Sequence, residues 1–318
     1  MLGIVYGVLS AASFGFNSAS ARRGVLTGTA IQGVAISMPL GLALFFLCAV
    51  VFGEWQQAGF LSRRDILLFC AAGFMSLIWG RYFSMRALAA VGSNISGPAQ
   101  QSQLLVSLAL AMVFLGETLT PLKILGIVLI AGAPMYVLHR RSRTRRAGDG
   151  ANITATAPDE TTMPSLARIK FTPRMAEGYL CAVLAGIGIG ISPVLVKAGL
   201  ENTGLSLMGG LVSYSAACAM TAILLVVPSQ FAQVRSIDQQ SLKWFAIAGT
   251  GVSFSQLFRY LALGVAPVTI VQPLQSLSLI FRMIFGYLIN RDHEAFDSDT
   301  IIGILMSFLG VIALSLSL

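Results

Sequence analysis

The chain has 318 residues, of which 56% are hydrophobic and 11% charged, against the roughly 25% charged that a soluble globular domain carries, so water is excluded as its main solvent. The net charge of +8 does not point to nucleic acid, because Lys and Arg cluster between apolar runs and form no aromatic-interleaved patch. All 13 Asp and Glu fall in expected loops or at segment ends, which leaves the apolar runs without a carboxylate.

A hydrocarbon core about 30 Å thick takes roughly 20 apolar residues per helix. In chain order ten such runs stand out, at about 2–20, 30–53, 66–89, 95–115, 121–138, 177–197, 206–228, 242–263, 267–289 and 300–317. The expected fold class is therefore an all-α integral membrane protein with ten transmembrane helices. The first run lacks the basic start of a signal peptide and has an internal copy, so it is taken as a retained helix. Cys48, Cys70, Cys181 and Cys218 lie inside apolar runs without CxxC spacing, which suggests buried thiols. Residues 139–175, beginning "HRRSRTRRAGDG", are too polar to pack a core and read as a linker between units 1–138 and 176–318.

The two units are similar. Laying "GIVYGVLSAASFGFNSASARRGV" from Gly3 over "GYLCAVLAGIGIGISPVLVKAGL" from Gly178 pairs Gly15 with Gly190, Asn17 with Ser192, Arg22 with Lys197 and Gly24 with Gly199, at an offset of 175. The same offset pairs Ala87-Leu88 with Ala262-Leu263, Pro98 with Pro273 and Gln100 with Gln275. Each unit holds five expected spans, an odd number, so the second must enter the membrane from the opposite side. Inverted repeats of this kind commonly support alternating access, with the solute site near the repeat interface.

The run "ALAAVGSNISGP", followed by "FLGETLTPLKILGIVLIAGA" and echoed by "LALGVAPVTIVQPL", resembles the EamA-type drug/metabolite transporter superfamily over nearly the whole chain. That resemblance implies a membrane carrier of a small solute such as an amino acid, nucleotide sugar or sugar phosphate. The second unit departs from it, with "NRDHEAFDSDT" where the superfamily commonly keeps Leu-Gly-Glu.

In the ten-span arrangement only Arg63, Arg64, Lys123, Lys197 and Arg259 of 21 basic residues fall on the side of the termini. The positive-inside rule then places the linker in the cytoplasm and both termini outside, in a bacterial-type inner membrane.

An ionisable side chain within a span marks a cavity, a partner or a snorkelling end. Arg81 and Arg282 lie deepest and are assigned to a polar cavity, whereas Arg86 and Arg259 lie nearer span ends and are assigned to snorkelling. Without a membrane carboxylate, these guanidiniums need carbonyls, water or an anionic ligand, and a bidentate match favours a carboxylate or phosphate. The plainer alternative is a polar network that clamps helices together. Gly15, Asn17 and Ser18 in the first span match Gly190, Ser192 and Pro193 in the sixth. They suggest a loosened, solute-binding or gating segment, or else close packing through small residues. Pro98 and Pro273 are further hinge candidates, each followed two residues later by an amide, Gln100 or Gln275, that could face a solute or bond a neighbouring helix. Trp79, Tyr82, Tyr214 and Tyr260 are candidate cavity walls, interfacial anchors or packing residues.

These features favour a secondary carrier of a small polar solute, such as an amino acid or other organic acid, in contact with membrane lipids. A proton-coupled exporter of cations would want a membrane carboxylate. A flippase for a phosphate-bearing lipid is the alternative. An enzyme would need a nucleophile with its base or a metal cluster, and His139 and His293 sit in neither setting. No metal or other cofactor is called for.

Overall fold

A computed structural model describes residues 1–91, 96, 99–129, 131–132, 136 and 174–289, and singly 302, 305, 306, 309, 310, 312, 313 and 316. Every regular element among them is helical. In chain order they are α1 (Leu2–Gly24), α2 (Ala30–Val51), a short 3-10 helix (Glu54–Phe60), α3 (Arg63–Gly73), a π-helix (Phe74–Gly80) and α4 (Arg81–Val91). Then come α5 (Ser102–Phe114), α6 (Met175–Leu200), α7 (Ser206–Leu225), α8 (Pro228–Arg235), α9 (Gln239–Val265), α10 (Val268–Ser276) and α11 (Ser278–Ile289). Residues 121–129 are also helical.

Among the described residues six helical stretches are long and apolar enough to cross a membrane: Leu2–Gly24, Ala30–Val51, Arg63–Val91, Met175–Leu200, Ser206–Leu225 and Val268–Ile289. The outer faces of these stretches and of α5 expose Leu47, Val51, Leu105, Phe114 and Ile223 at 60–72%, a surface that only hydrocarbon can cover favourably. The third expected span runs through the π-helix, and the ninth is interrupted at Leu277 between α10 and α11. A period count of apolar residues detects neither change of winding. Most of the linker and of the tenth expected span, with His139 and His293, lies outside the described residues. The four cysteines are free thiols, but only Cys181 is buried; Cys48, Cys70 and Cys218 are partly exposed, contrary to expectation, with Cys48 and Cys218 at the margin of the core.

Helix ends must satisfy their orphan amides, and this matters most beside a membrane. Thr29 with Gln32, and Ser62 with Asp65, form capping boxes that start α2 and α3. Glu54 accepts the amides of Leu207 and Met208 at the start of α7, each at 2.9 Å. Burial raises the Glu54 pKa, although the two amide bonds pull it down. Glu117 accepts the amides of Val268 and Thr269 at the start of α10, at 2.8 and 2.7 Å. Both carboxylates lie before the linker and cap helices that lie after it.

Asp238 caps α9, accepting the Ser241 amide at 2.8 Å, and its bonding to Ser241 holds its pKa below the ordinary value. A depressed carboxylate supports folding above its ordinary pKa and loses that support as pH falls through the depressed value. Asp238→Asn is therefore expected to flatten the acid limb of melting temperature against pH below about pH 4. Parallel acid limbs in the two proteins would dismiss this role.

Contacts recur at the offset found in the sequence. Arg22 Nη1 donates to the Leu88 carbonyl at 2.9 Å, and 175 residues later Lys197 Nζ donates to the Leu263 carbonyl at 2.9 Å. A methyl on Gly15 would lie 2.5 Å from Phe281 Cβ, and one on Gly190 would lie 3.0 Å from Val106 Cβ, again 175 apart. Direction follows from shared neighbours. Ala266, beside a Gly3 methyl at 2.6 Å, also accepts from Lys197 at 3.2 Å, so the start of α1 and the end of α6 meet at one place. The end of α4 likewise receives both Arg22, near the end of α1, and Gly178, near the start of α6. The equivalent helices α1 and α6 thus run antiparallel. Each also packs mainly on the other half, α1 on α9 and α11, and α6 on α4 and α5.

Candidate functional site

Between the halves, α1, the π-helix, α4, α5, α6, α9 and α10 enclose a cavity of about 30 Å³, room for about two waters. Arg81 and its i−4, i+3, i+4 and i+7 neighbours Leu77, Ser84, Met85 and Leu88 all line it, one face of the third span. That face can point inward because the π-helix, with one more residue per turn than α, resets the winding immediately before Arg81.

Arg81 is buried, donating from Nε to Ser37 Oγ at 2.8 Å and from Nη1 to Asn17 Oδ1 at 3.2 Å. Its Nη2 has no partner. Arg259, equally buried, donates from Nη2 to Ser192 Oγ at 3.2 Å, and its Nε has no partner. The two guanidiniums are held by neutral side chains, and no Asp or Glu occurs among the described residues that line the cavity. A third buried guanidinium, Arg282, donates to Ser18 Oγ at 3.0 Å. The result is a strongly cationic pocket in an environment of low dielectric, where a free anion is held far more strongly than in water.

Neutral groups complete the lining. Gln275 donates to Ser10 Oγ, and Ser10 and Ser255 exchange hydroxyl-to-carbonyl bonds at 2.6 and 2.8 Å, which joins α1 to α9 and α10. Both amide atoms of Gln272, and Oε1 of Gln256, have no partner although buried.

Of the residues singled out in the sequence, Asn17, Ser18, Arg81 and Gln275 line the cavity. Ser192, Arg282 and Gln100 stand one bond behind it, through Arg259, Ser18 and Ser84 respectively. Trp79, Tyr82 and Tyr214 do not line it. Trp79 donates to the Leu184 carbonyl at 3.0 Å and Tyr82 packs on Phe83 beside Arg86, because positions two before and one after Arg81 face other ways on a helix. Tyr214 is fully buried against Phe45, with ring centroids 5.2 Å apart, and Tyr260 donates to Ser213 Oγ at 2.6 Å within the same core.

Gly15, Gly190 and Pro193 do not loosen their helices, since α1 and α6 are continuous through them. A methyl at Gly15 would lie 2.8 Å from the Arg282 amide nitrogen, and one at Gly190 would lie 2.7 Å from the Gln103 carbonyl, so both glycines serve close packing. Pro273 lies inside α10, three residues before that helix ends, and Pro98 lies outside the described residues.

Arg259 overturns its assignment to the membrane interface. It sits six residues inside the end of α9 and faces the cavity, whereas Arg86 does lie at an exposed position, ion-paired with Glu177. Gln103, Gln256 and Gln272 escaped the sequence reading, though the 175 offset pairs Arg81 with Gln256 and Ser84 with Arg259. That register marks Gln256 and Arg259 as the polar partners of Arg81 and Ser84.

A model of the EamA-like transporter family matches residues 1–138 and 176–316. The chain belongs to that family. This EamA-like protein is thus a multi-pass membrane transporter of the drug/metabolite type. Among solved structures it is similar to a crystal structure described only as that of a protein, with a TM-score of 0.66 and 14% identity. The match covers 99% of this chain and 96% of the other, and at that identity it speaks for the fold alone. No curated protein matches the sequence.

Proposed function

We propose that this EamA-like transporter is a secondary carrier of a small polar solute with an acidic group, an amino acid or another organic acid. It works by alternating access between two inverted five-helix repeats, residues 1–138 and 176–318, that together cross the membrane ten times. The observation that carries this reading is the pair of buried, cavity-lining guanidiniums, Arg81 and Arg259, each with a free N–H and only neutral partners. A carboxylate placed there accepts charge-assisted bonds and supplies the missing counter-charge. A cavity of about 30 Å³ is too small for such a solute, so loading requires the halves to part on one face. The seams packed through Gly15 and Gly190 can slide, and the interruption after Pro273 can bend.

In this reading the linker 139–175 is cytoplasmic and both termini are outside a bacterial-type inner membrane. Lipid translocation is favoured by one feature, an open groove of about 370 Å³ on the outer face, lined by Phe16, Phe254 and Phe285. A single comparison separates the two. Proteoliposomes are expected to accumulate a labelled organic acid against preloaded unlabelled acid, without scrambling a labelled phospholipid. Scrambling without accumulation would replace the solute carrier by the lipid reading.

A further inference from the structure

The cavity's charge and symmetry say more about the solute. Each half contributes a buried arginine bonded to a neutral side chain of its own: Arg81 with Asn17 in the first, Arg259 with Ser192 in the second. Asn17 and Ser192 are equivalent by the 175-residue offset, and the arginines lie within one helical turn of equivalence, since Arg81 pairs with Gln256. Both guanidiniums line the same cavity, each with an unpartnered nitrogen, and no carboxylate lines it among the described residues.

We propose that the solute is a small organic dianion without an ammonium group, held with one negative charge toward each half. This rests on the carrier reading above. A zwitterionic amino acid brings no net charge to two uncompensated guanidiniums and sets a third cation beside them. An ammonium would find no carboxylate among the described lining residues to neutralise it, and the free acceptors there, Oε1 of Gln256 and Oε1 of Gln272, are neutral amide oxygens. The same amides suit polar groups on the solute's body: either oxygen accepts from a hydroxyl, and Gln272 Nε2 donates to a hydroxyl or carbonyl oxygen.

The test uses the full chain in lipid nanodiscs and four probes at pH 7: succinate, inorganic phosphate, butyrate and aspartate. Calorimetry is expected to give succinate or phosphate an affinity at least roughly tenfold above those of butyrate and aspartate. Succinate binding alone identifies a dicarboxylate, and phosphate binding alone a phosphate ester. Arg81→Gln and Arg259→Gln are each expected to erase the preference for a dianion over butyrate. Arg81→Lys and Arg259→Lys, which keep the charge, retain part of it and serve where a glutamine variant does not fold. Tighter binding of aspartate than succinate, still abolished by Arg81→Gln, would discard the dianion and leave the acidic-solute carrier standing. No binding of any probe, with transport of acidic solutes intact in both glutamine variants, would discard both.

Discussion

Arg81→Ala is expected to lower uptake of an acidic solute by about thirtyfold or more, while the melting temperature in detergent stays at or above that of the unmodified protein. Truncating one partner of a buried, charge-assisted contact costs about 2–5 kcal/mol of binding, and each 1.4 kcal/mol is about a factor of ten. Stability follows a different balance. Arg81 is buried with only Ser37 and Asn17 to hold it and one nitrogen unsatisfied, so its desolvation is not fully offset in the empty protein. Alanine releases that penalty and leaves two small polar groups beside a cavity that admits water. Loss of transport together with loss of stability would mean that Arg81 is a structural clamp; unchanged transport would remove it from the site.

The second large effect lies where α2 meets α7, a seam between the halves. Gly41 faces the ring of fully buried Tyr214, and Gly210 faces the ring of Phe45, so each aromatic occupies the space that a side chain on the opposing helix would need. Gly41→Ala forces its methyl into Tyr214, a fully buried ring that Phe45, one turn along α2 from Gly41, also packs against at 5.2 Å. Overpacking of this kind costs about 1–3 kcal/mol. The expected result is a clear fall in melting temperature, whereas Gly59→Ala, with nothing within 4 Å of the added methyl, leaves it unchanged. Equal responses from the two variants would rule out tight packing at this seam.

The duplicated register was legible because the residues that carry it are constrained on both copies. Gly3 and Gly178 must admit a neighbouring helix, and Arg22 and Lys197 must reach a helix-end carbonyl. Those demands act on single residues, so they leave matching letters. The cavity was only partly legible. Arg81 and Arg282 drew notice as charges far from any span end, but Arg259 was measured against an apolar run that ends before α9 does. Which way a side chain faces depends on winding, and the π-helix before Arg81 and the interruption at Leu277 have no signature in hydropathy. The aromatic candidates failed for a related reason. Trp79 and Tyr82 are close to Arg81 in sequence, and on a helix that proximity directs them away from the face it occupies.

The π-helix from Phe74 to Gly80 places a loosely wound stretch directly ahead of the arginine that faces the cavity. Tightening it to ordinary α winding would rotate everything beyond by about one residue, roughly 100°. Arg81 would then swing off its bonds to Ser37 and Asn17 with the span still unbroken. A change of coiling within a single helix would in that way present or withdraw the Arg81 charge at the cavity.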